Sequence, residues 1–402
     1  MNKPAVNNPA LNGLADIVDR AMTAGEIPGA VVLVAQHGEV QWLDARGTVD
    51  LPPHTPLRTD SVFAFASMTK PVVAAAALAL WEDGKLGLDD PVERYIPEFA
   101  APRQVRTLRP GSKLPPPTPP WAPRWEGPAP EYDLAPSKRP LLLRDFLSHT
   151  SGLQTIFVPN DAIPAVEADD TLATWVPKLA HAPLEFQPGT RWHYSNATGF
   201  EVVARVVEVA SGMPFGDYVQ SRLFAPLGMQ TLGFGVRPEV ADRCIPLGPL
   251  ALTPIVNPGF QSGSAGLFGD VTDYWRFPQM LLAGGMGPHG RVLQEATVRT
   301  MSSPQIGDVG VPGMTVKEYA APEPVANPGM SFGFGVGIVA DGPRSGAVVP
   351  TGAYGWDGVG TRRFWVIPSL DAVLVMLMPG MGGMADEAHR QIEQEVVRVL
   401  GA

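Results

Sequence analysis

The stretch Val62-Phe63-Ala64-Phe65-Ala66-Ser67-Met68-Thr69-Lys70-Pro71-Val72-Val73 decides how this chain is read. Val62 to Phe65 is rich in β-formers and predicts a short strand. From Ser67 the sequence turns apolar and alanine-rich as far as about Asp83, which predicts a buried helix. Pro71 fits near the start of that helix, where a missing backbone donor costs little. Residues at i and i+3 share a helix face, so the Lys70 amine lies beside the Ser67 hydroxyl. A serine hydroxyl is a weak nucleophile until a neighbour takes its proton, and this spacing supplies one. The helix start also offers free N–H groups as an oxyanion donor, and its positive field disfavours an ammonium. The same four residues also read as a helix cap followed by a solvated lysine. This Ser-x-x-Lys, the only one in the chain, stands at a strand-to-helix junction, and that context favours the nucleophile.

Before this junction, Leu11 to Ala24 has helical spacing, and Gly29–Gln36 and Val40–Asp44 form a predicted hairpin about His37-Gly38-Glu39. After it, Leu141–Leu147, Leu172–Val176, Gly199–Ser211 and Phe215–Leu223 carry helical periodicity. Pro102 to Pro140 contains twelve prolines and predicts a surface excursion, not a helix. Its Trp121 and Trp125 suggest a lid as the alternative to a permissive insertion. A Gly-rich turn, Ser262 to Gly266, precedes a helix over Thr272–Leu282 with a kink expected at Pro278. Strands are predicted at Phe332–Val339, Arg363–Val366 and Ala372–Met378, and a last helix from about Met384 to Leu400. Strands at both ends that must share one sheet imply an α/β domain formed by residues 1–85 and 262–402. An all-helical domain, residues 86–261, is inserted between them and contains the Pro-rich segment.

The bulk numbers narrow the function. In 402 residues, 45% are apolar and 17% charged, which suits a large globular core. The formal charge of −10, with 40 acidic and 30 basic residues, repels polyanions and argues against nucleic acid. The single cysteine, Cys244, excludes an intrachain disulfide and cysteine-cluster metal sites, and reads as a buried structural thiol. No metal-ligand spacing is present, so no metal or cofactor is expected. Met1 to Asn12 lacks the apolar core of a signal peptide, and no run is long enough to span a bilayer; a cytoplasmic, membrane-free protein is the expectation.

Two further segments can serve a Ser67 site. In Tyr194-Ser195-Asn196 a hydroxyl and an amide two residues apart can point into one cleft, although the trio also suits the start of the next helix. In Trp356-Asp357-Gly358-Val359-Gly360 the glycines allow a strand edge to approach a ligand, and the Val359 N–H can supply a second oxyanion donor. A rival nucleophile is Ser331, within Gly329-Met330-Ser331-Phe332-Gly333. That Gly-x-Ser-x-Gly elbow requires a strand before and a helix after, and here the order is reversed.

Ser-x-x-Lys, Tyr-x-Asn and a Gly-containing edge-strand triad in this order resemble class C β-lactamases and penicillin-binding proteins. The chain is most similar to their esterase relatives, the family VIII carboxylesterases. Asp83-Gly84-Lys85-Leu86, Leu147-Ser148-His149-Thr150-Ser151-Gly152-Leu153 and Ser264-Ala265-Gly266-Leu267 fit the same resemblance, which spans about residues 10 to 400. It implies a β-lactamase/transpeptidase-like fold, an antiparallel sheet flanked by helices. It also implies Ser67 as acylated nucleophile, Lys70 as its proton partner and Tyr194 as base or relay. The N–H groups of Ser67 and Val359 would form the oxyanion hole, with Asn196, Trp356, Asp357 and Gly358 against the substrate. One departure stands out. Class C β-lactamases carry Lys-Thr-Gly where this chain has Trp356-Asp357-Gly358, so a cation for an anionic substrate is replaced by an indole and a carboxylate. Asp357 is expected either in solvent or bonded to the adjacent turn.

The expected activity is therefore hydrolysis of small, uncharged carboxylic esters with short acyl chains through an acyl-enzyme on Ser67. A β-lactamase, a D-amino-acid amidase or peptidase, and an acyltransferase are alternatives that use the same Ser/Lys/Tyr site. The base is expected to be Tyr194, partly ionised beside Lys70, or else a neutral Lys70. The oligomeric state is left open.

Overall fold

The computed structural model describes residues 6–49, 54–113, 127–128, 130–153, 163–248, 251, 253–312, 325–380 and 386–402. Its centre is an eight-stranded sheet in which every neighbouring pair is antiparallel. Across the sheet the strands run Val6–Asn7, Glu39–Gly47, Gly29–Gln36, Ala372–Leu377, Arg362–Ile367, Tyr354–Gly358, Gly337–Val339 and Met330–Phe332. The hairpin Gly29–Gln36/Glu39–Gly47 thus pairs directly with Ala372–Leu377, joining the two ends of the chain in one sheet.

Alternation along the strands sorts their side chains to two faces. Val32, Val34, Trp365, Leu374 and Met376 pack under the helices Gly13–Thr23 and Asp386–Leu400, which supply Leu14, Ile17, Ile392 and Val396. Val31, Leu33, Phe364, Val366 and Val375 face the other way, toward the helix Thr69–Glu82. Twelve consecutive residues of that helix, Thr69 to Leu80, are buried. A helix apolar on every side belongs in an interior, and this one packs against the helices Gly199–Ser211 and Glu295–Met301 within the same core, where Val271–Tyr274 and Arg276–Leu282 lie on the sheet.

Several elements differ from the sequence expectations. Phe332–Val339, expected as one strand, is two strands, Met330–Phe332 and Gly337–Val339, folded back by a turn in which the Gly333 N–H donates to the Val336 carbonyl. Thr272–Leu282 is two helices, Val271–Tyr274 and Arg276–Leu282; the break falls at Trp275, and Pro278 sits in the first turn of the second, where it displaces no helical bond. Phe215–Leu223 begins as α-helix over Phe215–Val219 and widens to a π-helix over Gln220–Phe224. The Pro-rich segment contains an antiparallel ribbon, Gln104–Leu108 with Tyr132–Pro136, while Trp121 and Trp125 lie outside the described residues. Gly233–Phe234, from the middle of the chain, joins Phe63–Ala64 and Leu267–Gly269 in a three-stranded sheet. Cys244 is half-buried rather than buried. Among the described residues no helix is long and apolar enough to cross a membrane.

Candidate active site

The strand Phe63–Ala64 pairs with Leu267–Gly269, and the Phe65 N–H donates to the Leu267 carbonyl. Ala66 follows with φ of +48°, a left-handed conformation that is strained for a residue with a side chain. A 3-10 turn over Ala66–Met68 then leads into the helix Thr69–Glu82. The turn is pinned from below, where Tyr274 stacks on Phe65 at 4.3 Å between centroids and its hydroxyl donates to the Met68 carbonyl at 2.8 Å. Every residue from Ser61 to Leu80 is buried except Ser67. The kink therefore presents one hydroxyl to the outside from an otherwise closed segment.

Beneath it, the Lys70 amine lies 3.1 Å from Ser67 Oγ, 2.8 Å from the Asn196 carbonyl and 3.0 Å from the Ser264 carbonyl. Burial pushes the Lys70 pKa down to about 7, against an opposing pull from Glu201. A neutral amine has two N–H bonds and one lone pair. The two carbonyls can take both N–H bonds, which leaves the lone pair directed at the Ser67 hydroxyl. This is the geometry that a proton acceptor for Ser67 requires. Asn196 enters this arrangement through its main chain, a contribution that the sequence motif does not disclose.

Tyr194 is buried on the other side of Ser67, with its ring 5.0 Å from the Lys70 amine. Burial raises the Tyr194 pKa, although hydrogen bonds with Ser67 and Trp356 pull in the opposite direction. The phenol therefore keeps its proton at neutral pH. Of the two bases expected from sequence, the electrostatics favour neutral Lys70 over ionised Tyr194. The Trp356 indole donates to the Tyr194 hydroxyl at 3.2 Å. Trp192, Phe332 and His149 surround the pair, and His149 bonds to Ser195 at 3.0 Å. Burial drives the His149 pKa well below its ordinary value, so this residue is an uncharged wall of the site.

Gly358 brings the strand Tyr354–Gly358 against the nucleophile segment. A Cβ at this position would stand 2.4 Å from the Phe65 carbonyl, closer than any side chain tolerates. Val359 follows at the strand's end as a partly exposed turn residue, and its carbonyl accepts from Arg362 at 2.8 Å.

The sequence model of the beta-lactamase family matches residues 14–397. The chain belongs to the beta-lactamase family. This beta-lactamase-family chain is 28% identical over 402 residues to Esterase EstB of Burkholderia gladioli, covering 90% of this chain and 88% of EstB. Among solved structures it is similar to EstCE1, described as a hydrolase with promiscuous acyltransferase activity, at 24% identity and a TM-score of 0.72, covering 96% of this chain and 98% of the other. A family VIII carboxylesterase matches with a TM-score of 0.73 at 17% identity, covering 98% of this chain and 99% of that one. The fold is the β-lactamase/transpeptidase-like fold, and the protein is a serine hydrolase.

Within this beta-lactamase-family site, one expected substrate-binding residue is elsewhere. Asp357 pairs in register with Arg363 on the neighbouring strand, so both side chains leave the sheet on the face opposite Trp356. The Asp357 carboxylate is buried against Arg363 in a two-pronged contact at 2.8 and 2.8 Å. Arg363 also donates to Glu393 of the C-terminal helix at 3.0 Å, and Glu393 accepts from the Trp365 indole at 2.7 Å. Burial opposes the Arg363 charge, but the two carboxylates outweigh it and raise the pKa. Asp357 is therefore neither in solvent nor at the turn; it ties the strand ending at Gly358 to the helix behind the sheet.

The rival Ser331 lies on the edge strand Met330–Phe332, which is followed by a turn and another strand, with no helix to form an elbow. A cavity of about 550 Å³ opens beside Trp192, lined also by Arg191, Ile306, Asp308 and Val309. Among the described residues no group of three or more His, Cys, Asp or Glu side chains can hold a metal. Sequence reading also missed Glu201. It is buried on the helix Gly199–Ser211, and an acidic residue between Phe200 and Val202, away from the Arg205–Glu208 pair of the same helix, was the available signal.

Proposed function

We propose that this protein is a serine carboxylesterase that hydrolyses small, uncharged carboxylic esters with short acyl chains. The observation that carries this reading is Trp356. Its buried indole, not a cation, stands beside the Tyr194 hydroxyl at the site, leaving no positive side chain of that strand to attract a substrate carboxylate. The relative EstB is an esterase, which supports the same choice.

In this mechanism Ser67 Oγ attacks the ester carbonyl carbon while its proton passes to the Lys70 lone pair. The negative charge that develops on the carbonyl oxygen is held by the main-chain N–H groups of Ser67 and Val359. The tetrahedral adduct collapses, the C–O bond to the alcohol breaks, and the leaving oxygen takes a proton relayed from Lys70 through the Tyr194 hydroxyl. Water then attacks the acyl-Ser67 ester, giving its proton to Lys70, and the acid departs as Ser67 recovers its proton. An alcohol that replaces water in the second half makes the same enzyme an acyltransferase.

The test is hydrolysis of p-nitrophenyl butyrate by the wild type and by Ser67→Ala, with nitrocefin in parallel. Ester turnover that falls at least ~10³-fold in the variant, with little nitrocefin cleavage, is the expected result. Activity that survives in Ser67→Ala would refute the nucleophile, and rapid nitrocefin cleavage would make the protein a β-lactamase instead. Addition of an alcohol acceptor, with ester product quantified against free acid, measures the transfer branch.

A further inference from the structure

Glu201 is fully buried on the helix Gly199–Ser211, and its carboxylate accepts three hydrogen bonds from one turn: Ser262 Oγ at 2.5 Å, the Gly263 N–H at 2.7 Å and the Ser264 N–H at 3.3 Å. Main-chain N–H groups can only donate, so the turn is built to hold an acceptor at this point. The turn also docks directly on the helix. A Cβ on Gly263 would stand 2.4 Å from the Phe200 carbonyl and 2.7 Å from the Ala204 Cβ. On its other side the turn presents the Ser264 carbonyl to Lys70 at 3.0 Å, and Lys70 in turn meets Ser67. An unbroken series of contacts therefore runs from Glu201 through Ser264 to the nucleophile.

We propose that Glu201 is a positioning residue for the Ser67–Lys70 pair, holding the turn whose carbonyl receives the amine and, by its own charge, governing the protonation of Lys70. The proposal rests on the reading of neutral Lys70 as the base for Ser67. Burial raises the Glu201 pKa, while the bonds from Ser262, Gly263 and Ser264 and the Lys70 charge pull it back toward the ionised form. The carboxylate in turn opposes the effect of burial on Lys70, and so keeps the amine basic enough to take the Ser67 proton near neutral pH.

Few other ionisable groups face this pair. Tyr194 and His149 approach Lys70, and burial keeps both uncharged at neutral pH, raising the tyrosine pKa and lowering the histidine's. Around the helix that carries Glu201, Asp145 is engaged by Arg139 and Lys178 by Asp170, burial raises the Tyr218 pKa, and Asp217, His181 and the Arg205–Glu208 pair lie toward the surface. Glu201 is thus the carboxylate whose charge reaches the amine.

The experiment is the pH dependence of Ser67 labelling by a fluorophosphonate, which isolates the first acylation step, in wild type, Glu201→Gln, Glu201→Asp and Lys70→Ala. Removal of the carboxylate charge in Glu201→Gln is expected to move the acid limb down by about one pH unit, with a lower plateau because the base is weaker. Glu201→Asp, which keeps the charge, is expected to hold the limb at its wild-type position. A Glu201→Gln variant that loses rate at every pH with the limb unmoved would overturn the proposal, since a purely structural role does exactly that to a profile. If Glu201→Gln does not fold, Glu201→Met is a neutral replacement of similar length carrying the same expectation. Wild-type labelling rates in Lys70→Ala would instead refute the underlying reading, whatever the Glu201 variants do.

Discussion

The Trp356 indole nitrogen donates to the Tyr194 hydroxyl at 3.2 Å, joining the two motifs that flank Ser67. An indole N–H can only donate, so the tyrosine oxygen accepts here, and the same hydroxyl is hydrogen-bonded with Ser67. This is the geometry that the proposed relay role of Tyr194 requires. The same indole occupies the sheet-edge position from which a longer cationic side chain would meet an acidic substrate.

Trp356→Phe keeps the aromatic wall and removes the donor. One hydrogen bond to the relay oxygen is worth on the order of 1 kcal/mol, so kcat for p-nitrophenyl butyrate is expected to fall about 5-fold with KM little changed. Steady-state kinetics on a variant with wild-type thermal stability provide the check. A change confined to KM would assign Trp356 to substrate packing alone.

The pH dependence of kcat/KM follows from Lys70. The amine accepts the Ser67 proton only when neutral, and its pKa lies at about 7. Below that pH the protonated fraction grows, and the rate is expected to fall about tenfold per unit; above it the rate is flat until another group titrates. Lys70→Ala should abolish this limb together with most of the activity, whereas Tyr194→Phe should lower the plateau and leave the limb in place. A limb that disappears in Tyr194→Phe would return the base role to the tyrosine.

Asp357 predicts a stability effect and not a specificity effect. Asp357→Ala leaves the Arg363 guanidinium buried with one carboxylate instead of two, at an expected cost of about 3 kcal/mol in the free energy of unfolding. Denaturant titration measures that loss. Ratios of kcat/KM among neutral and anionic esters should be unchanged in the surviving folded enzyme; a switch toward anionic substrates would mean that the carboxylate acts in the cleft after all.

Gly358→Ala tests the contact between the strand and the nucleophile segment. The added methyl would stand 2.4 Å from the Phe65 carbonyl, two residues before Ser67. The backbone must separate there, and a displacement on the order of 1 Å at the reacting groups costs about 10²-fold in kcat. The far-UV spectrum is expected to stay native, because the sheet core on either side does not involve this contact. Full activity in Gly358→Ala would show that the strand edge is free to move.

The Ser67-x-x-Lys70 motif was legible because its two members are local to one another. Three residues of helix place Lys70 beside Ser67 whatever the rest of the chain does. Strand and helix types were readable for the same reason, since alternation and helical spacing record local burial. The errors fell where turns of a few residues decide the path, as between Phe332 and Gly337, and where a register decides which side of a sheet a residue takes. Asp357 is the clearest case. Its neighbours in sequence are Trp356 and Gly358, both at the site, but pairing with Arg363 sends its side chain to the opposite face.

By itself, then, the sequence determined the nearness of Lys70 to Ser67, the order of the three motifs and the antiparallel sheet shared by the two chain ends. Only the tertiary structure decided the electrostatic surroundings of Lys70 and Tyr194. The burial that lowers the Lys70 pKa comes from the sheet, from the carbonyls of Asn196 and Ser264 and from a helix more than a hundred residues away. Electrostatic free energy depends on distances in space and on exclusion of water, and neither is written in the spacing of residues along a chain.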